Sequence, residues 1–171
     1  MTPCGDAFTV ADMEQLIDVS LDRGQPQLKP VVLTFENRDR LGFTSGLQAA
    51  LFENGAARMR IKDAWSAAIV LPRVNVAAEA LPIMKLRMAT EKTKKIVLRF
   101  ATCQEPTLSD RVQIPLTITP DGQIHDYSFD LGAVAAGKWS GDVYYVRMEP
   151  GEGREEGEVI TLERVSFEPR D

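Results

Sequence analysis

The 171-residue chain is short of the groups that usually do chemistry. It has one histidine, His125, and two cysteines, Cys4 and Cys103. No Cys–His or Ser–His pair can form except through His125, which stands beside a "PDG" turn where an exposed polar side chain is ordinary. The cysteines fit no metal spacing, and two of them do not make a disulfide framework. Cys103 reads as a free buried thiol and Cys4 as a loose terminal one. There is no G-x-S-x-G elbow, no phosphate-binding loop, no G-x-G-x-x-G after a strand and no H-E-x-x-H. The glycines of "PGEGREEG" are followed by acid, which repels phosphate.

A basic excess is also lacking. Twenty Lys and Arg face 25 Asp and Glu, a net charge of −5, which argues against nucleic acid. No run reaches the roughly 18 apolar residues of a membrane-spanning helix. No basic start leads into an apolar stretch, so no signal peptide is expected. A chain whose leader had been trimmed would read the same, and would be secreted, periplasmic or on the cell surface. Aromatics are only 7% of the chain, which limits the ring platforms available to stack on sugars.

What is present describes a globular domain. Hydrophobic residues are 44% and charged residues 26%, and the length suits one fold with its own core. Residues 1–30 form an N-terminal segment. In "TVADMEQLIDVSLDRG", Val10, Met13, Ile17 and Leu21 recur at helical spacing, Thr9 can cap the start, and Gly24 and Pro26 end the pattern. One amphipathic helix is expected over about residues 10–22, packed on this domain or on a neighbouring protein domain.

From Val31 to Asp171 the period changes to two. "VVLTFE", "AARMRIK", "SAAIVLP", "PIMKLRMA", "KIVLRFAT", "VQIPLTI", "QIHDYSFDL", "DVYYVRM" and "EVITLERVSF" read as nine strands. Pro115 marks an edge strand, and Pro120–Gly122 makes a tight turn into an expected hairpin partner. "EPGEGREEGE" reads as an exposed acidic loop. Short alternating strands of this kind predict an all-β, antiparallel sandwich or barrel.

The strand faces supply candidate sites. If Met84, Leu86 and Met88 face the core, Arg87 faces outward. If Ile96, Leu98 and Phe100 face inward, Arg99 faces outward. If Tyr144, Val146 and Met148 face inward, Val143, Tyr145 and Arg147 face outward. Were these strands in one sheet, Arg87, Arg99, Tyr145 and Arg147 would line one cationic face, for an acidic glycan or for the carboxylates beside them. Glu163 is in phase with Val165 and Phe167 and is expected to point inward, where a carboxylate needs a partner. Calcium held with Glu36, an arginine, or open water would each serve.

The order of the pieces carries a resemblance. "FEN" closes the first strand, "RLGF" follows, and a strand opens with Trp65 and ends "VLP". Then come "KLRMA", "VLRF", "HDYSFDL", "WSGDVYYVRMEP" and "GEVITLERVSF". Over about residues 31–169 this resembles the galactose-binding-domain-like jelly rolls, the carbohydrate-binding-module type appended to bacterial glycoside hydrolases and polysaccharide lyases. The resemblance implies a two-sheet β-sandwich jelly roll, a non-catalytic role and an oligo- or polysaccharide partner, linked to a polysaccharide-degrading system. It also implies a structural calcium between Glu36 and Glu163. It places Trp139 in the core. Trp65, which opens a strand after "KDA", reads either as a core residue or, with Arg87, Arg99, Tyr145 and Arg147, as a candidate ligand contact. Two other functions stay open: a protein-interaction or structural sandwich that binds no sugar, and a small hydrolase using two carboxylates on a glycan.

Overall fold

A computed structural model describes residues 28–102, 113–135 and 137–171. The helix expected at about residues 10–22, Cys4 and Cys103 lie outside the described residues.

The described residues form twelve strands and two single-turn helices. In order they are β1 (Val31–Thr34), α1 (Arg38–Leu41), β2 (Phe43–Ser45), β3 (Leu51–Glu53), β4 (Ala56–Arg60), β5 (Ala68–Val70), β6 (Val76–Ala77), β7 (Ile83–Thr90), β8 (Lys95–Thr102), β9 (Gln113–Thr117), β10 (His125–Asp130), α2 (Leu131–Val134), β11 (Asp142–Pro150) and β12 (Val159–Glu168). All nine expected strands are there. The three additional ones, β2, β3 and β6, are two or three residues long, too short for alternation to show.

Two antiparallel sheets result. Sheet I runs β10-β7-β12-β4-β3, with β1 also on β12; sheet II runs β2-β5-β11-β8-β9, with β6 also on β11. Sandwiched between them lie the residues that period two sends inward: Met84, Leu86 and Met88 of β7; Ile96, Leu98 and Phe100 of β8; Ile114 and Leu116 of β9. Trp139 ties the sheets together, as its core assignment required. Its ring stacks on Phe167 of sheet I at 5.5 Å, meets Phe100 of sheet II edge-on at 5.0 Å, and donates Nε1–H to the Leu81 carbonyl at 3.3 Å. A buried indole with its donor satisfied adds specific geometry to the apolar gain.

Pro115 does lie on an edge strand, exposed on β9. The expected hairpin does not form. β9 pairs with β8 and β10 pairs with β7, so the "PDG" turn carries the chain from one sheet to the other. The turn chemistry is nevertheless as read: Gly122 has φ 78° and donates its N–H to the Thr90 carbonyl at 2.8 Å. Tight-turn residues specify a reversal, not which sheet the next strand joins.

Two β-bulges change which residues face inward. The β11–β8 register shifts between Val143 and Tyr145, and the β12–β7 register shifts between Leu162 and Arg164. Each bulge adds one unpaired residue and inverts the alternation on one side of it. Val143 is therefore fully buried and Tyr144 only partly, the reverse of strict alternation, while Val146 and Met148 stay in the core. Ile160, Leu162, Val165 and Phe167 are all buried, and Glu163 is turned away from them.

The acidic stretch before β12 is not uniformly exposed either. Glu158 is 3% exposed. Its carboxylate accepts backbone N–H groups from Glu91, Lys92 and Thr93 at 3.1, 2.7 and 2.8 Å, and the Thr93 hydroxyl at 2.7 Å. Glu91 answers by accepting from the Val159 N–H at 3.0 Å. A buried charge is tolerable because its lone pairs are all engaged, and this one fastens the β7–β8 turn to the start of β12.

Candidate functional site

The four outward residues expected on one face are divided between two. Arg87 lies on β7 in sheet I; Arg99, Tyr145 and Arg147 lie on β8 and β11 in sheet II. Strand phase fixes which side of its own sheet a residue takes. It does not say which sheet the strand enters.

On sheet I, Arg87 is committed locally. Its Nε donates to Glu163 and its Nη1 to Asp126. These partners hold the guanidinium pKa above its ordinary value, Glu163 contributing most. Lys85 pairs with Glu168 at 2.7 Å on the same face. This sheet surface is a set of matched charges.

Sheet II is different. Cross-strand register places Phe43, Val70, Arg147, Arg99 and Gln113 in one transverse row from β2 to β9. Directly opposed residues project from the same side, so the row crosses the outer surface. Phe43, at its end, is 65% exposed. One row along, Glu149 opposes Val97 and Val97 opposes Pro115. The Glu149 carboxylate sits between the two arginines: Oε2 accepts from Arg99 Nε at 3.1 Å, and Oε1 lies 2.9 Å from Arg147 Nε. The second contact is misaligned, and Arg147 Nε is buried without a hydrogen bond.

Arg99 and Glu149 continue into a depression of about 300 Å³, whose other lining includes Trp65, Val97, Gln113 and Arg154. Trp65 is 89% exposed. The loop that carries it is nonetheless pinned. Asp63 accepts the Trp65 N–H at 3.0 Å and the Ser66 hydroxyl at 2.8 Å, and these bonds, the hydroxyl's first, hold its carboxyl below the usual value. The Gly46 carbonyl accepts from Lys62 and Asp63, and the Ser45 hydroxyl donates to the Ser66 carbonyl at 2.7 Å. Gly46 has φ 61°, and a Cβ there would come within 2.6 Å of Ser66 and the Ala67 nitrogen, so the approach needs glycine. On one side of the indole stands the Arg154 guanidinium, 5.4 Å from the ring centre, itself fixed by the Ala64 carbonyl at 2.8 Å and the Gly151 carbonyl at 3.2 Å. A pre-organised ring beside charged donors and an acceptor can stack on a sugar's C–H face and hydrogen-bond its hydroxyls.

Sequence reasoning thus reached Trp65, Arg99, Tyr145 and Arg147, which share this side of the molecule, and Arg87, which does not. It missed Glu149, Gln113, Arg154 and Phe43. Glu149 carried a readable signal, being in phase with Tyr145 and Arg147. Arg154 sits in a loop and is brought in by tertiary folding alone.

Glu36 is exposed beyond β1, and the β12 bulge gives Glu163 to Arg87. Among the described residues no group of three or more His, Cys, Asp or Glu is placed to hold a metal ion. His125 is half-buried and its Nε2 lies 2.9 Å from Asp121.

No family model and no curated protein matches the chain. Solved structures do match. An aspartate-to-alanine mutant of the family 29 carbohydrate-binding module CBM29-2 aligns with a TM-score of 0.58 at 12% identity, over 81% of this chain and 89% of that one. A mutant of the same module complexed with mannohexaose gives 0.58 at 12%, over 81% and 90%. One complexed with cellulohexaose gives 0.53 at 12%, over 82% and 92%. At such identities the likeness shows the fold, a jelly-roll β-sandwich, as the strand order had implied.

Proposed function

We propose that the protein is a non-catalytic carbohydrate-binding module that takes an oligo- or polysaccharide on the outer side of sheet II, with Trp65 as its ring platform. The exposed, pinned indole carries this reading. Leaving it in water forgoes roughly 150–250 Å² of burial, and the bonds around Asp63 and Gly46 hold its loop in place regardless. Solved structures of the same fold that bind mannohexaose and cellulohexaose support it.

The non-catalytic part is supported by the lining of the depression. Glu149 is its single carboxylate among the described residues, whereas glycoside hydrolysis by the common routes uses two, about 5–10 Å apart. A module of this kind serves by holding a polysaccharide-degrading enzyme on its substrate. Isothermal titration of the chain with mannohexaose, cellohexaose and a polyuronate tests the proposal: binding of at least one that Trp65→Ala abolishes is expected, and no binding to any would contradict it.

A further inference from the structure

Resting on that reading, we infer that the depression beside Trp65 recognises a short unit of one or two sugars, the end or a branch of a glycan, and holds no further sugars of a longer chain. Size is the first reason. The depression encloses about 300 Å³, the lower end of the roughly 300–1,000 Å³ of small-molecule sites. A long chain held across a sheet needs several ring platforms in file. Trp65 and Phe43 are the two exposed aromatic side chains among the described residues, and Phe43 is not part of the depression's wall. It stands on β2, three strands from Arg99, about 14 Å away at ordinary strand spacing. Val70 and Arg147 fill the row between them, and neither carries a ring.

The platform itself has room for one sugar. The Arg154 guanidinium stands over one face of the indole, and the Ala64 and Gly151 carbonyls keep it there. A ligand ring therefore has the opposite face of Trp65 and no second indole or phenyl beside it.

The polar groups converge on that one position. Gln113 from β9, Glu149 from β11 and Arg154 from the loop before β12 line the same depression. The side-chain amide of Gln113 is half-buried and has no hydrogen-bond partner among the described residues. Glu149 accepts from Arg99 with Oε2, while its Oε1 accepts no hydrogen bond among the described residues. Taking polar groups partly out of water without partners is costly. Sugar hydroxyls, each a donor and an acceptor, fit both: they donate to Glu149 Oε1 and to the Gln113 carbonyl, and accept from the Gln113 amide. Two of the three groups stand on sheet strands, so little ordering is left for binding to do. A few fixed polar groups around one apolar face are what a small ligand needs.

The test is titration of the full chain with mannohexaose, cellohexaose and a polyuronate, each beside its own disaccharide, the polyuronate being counted in disaccharide units. For every glycan that binds, the disaccharide is expected within about tenfold of the longer chain, since a second stacking platform would add roughly that factor or more. Phe43→Ala should leave these affinities as they are in the parent. Gln113→Ala should weaken the disaccharide and the longer chain alike, by about fivefold, as loss of a hydrogen bond implies. Unfolding curves would show that both variants remain folded. A longer chain bound more than about tenfold tighter than its disaccharide, a Phe43→Ala variant weakened toward the longer chain, or a Gln113→Ala variant equal to the parent would each overturn the inference and leave Trp65 standing as a glycan platform. Failure of every glycan would remove the carbohydrate reading beneath it.

Discussion

Arg99 and Arg147 stand directly opposite one another on β8 and β11, and the single carboxylate of Glu149 lies between their Nε atoms. Removing that charge takes away the anion that the two facing guanidiniums share. Glu149→Gln should therefore lower stability by about 1–3 kcal/mol, and added sodium chloride should recover part of the loss by screening the repulsion. Thermal unfolding at two salt concentrations checks this. A variant as stable as the parent at low salt would mean the three side chains are independent.

A different carboxylate governs the fold. Glu158 accepts three backbone N–H groups of the β7–β8 turn from a fully buried position. Glu158→Ala should cost at least about 3 kcal/mol, because several buried donors lose their acceptor at once. Amide exchange at Lys92 and Thr93 should accelerate more than at residues of β9. Unchanged protection at those amides would show that the turn holds without the carboxylate.

Asp142 gives a pH dependence of opposite sign to most carboxylates. It is 6% exposed, and burial, followed by the nearby charge of Glu79, raises its pKa. The folded state then holds a proton that the unfolded state, with a carboxyl near about 3.9, has already released. Stability contributed by this group is present below about pH 3.9 and is lost as pH rises through the raised folded value. Asp142→Asn should consequently be more stable than the parent at pH 7, with the gap shrinking near pH 3. Urea unfolding at the two pH values measures it, and a gap that widens in acid would reverse the assignment.

The engagement of Glu163 by Arg87 has a consequence for metals. EDTA and added calcium should leave the melting temperature of the chain unchanged. A rise with calcium that Glu163→Gln abolishes would show that the carboxylate leaves Arg87 for a cation.

How much of this was legible in the sequence follows from what period two can encode. Alternation placed Met84, Leu86, Met88, Ile96, Leu98 and Phe100 in the core and Arg99 and Arg147 outside it. It failed at Val143, Tyr144 and Glu163 because a bulge adds a residue without any change of composition. It put Arg87 beside Arg147 because phase carries no record of sheet membership. The resemblance in strand order supplied the sandwich, but the choice of partners across sheets, and with it the gathering of Trp65, Arg154, Gln113 and Glu149, arises from long-range pairing alone.

The central claim is that glycan binds sheet II at Trp65, and paired titrations test it most directly. Trp65→Ala and Arg87→Ala should both fold, since one ring is exposed and the other side chain lies on the opposite sheet. Titrated with the oligosaccharides and polyuronate that the parent binds, Trp65→Ala should lose at least about tenfold in affinity, in keeping with the roughly 1–3 kcal/mol measured for stacking on an aromatic ring, while Arg87→Ala should match the parent. Full affinity in Trp65→Ala, or its loss in Arg87→Ala, would contradict the account.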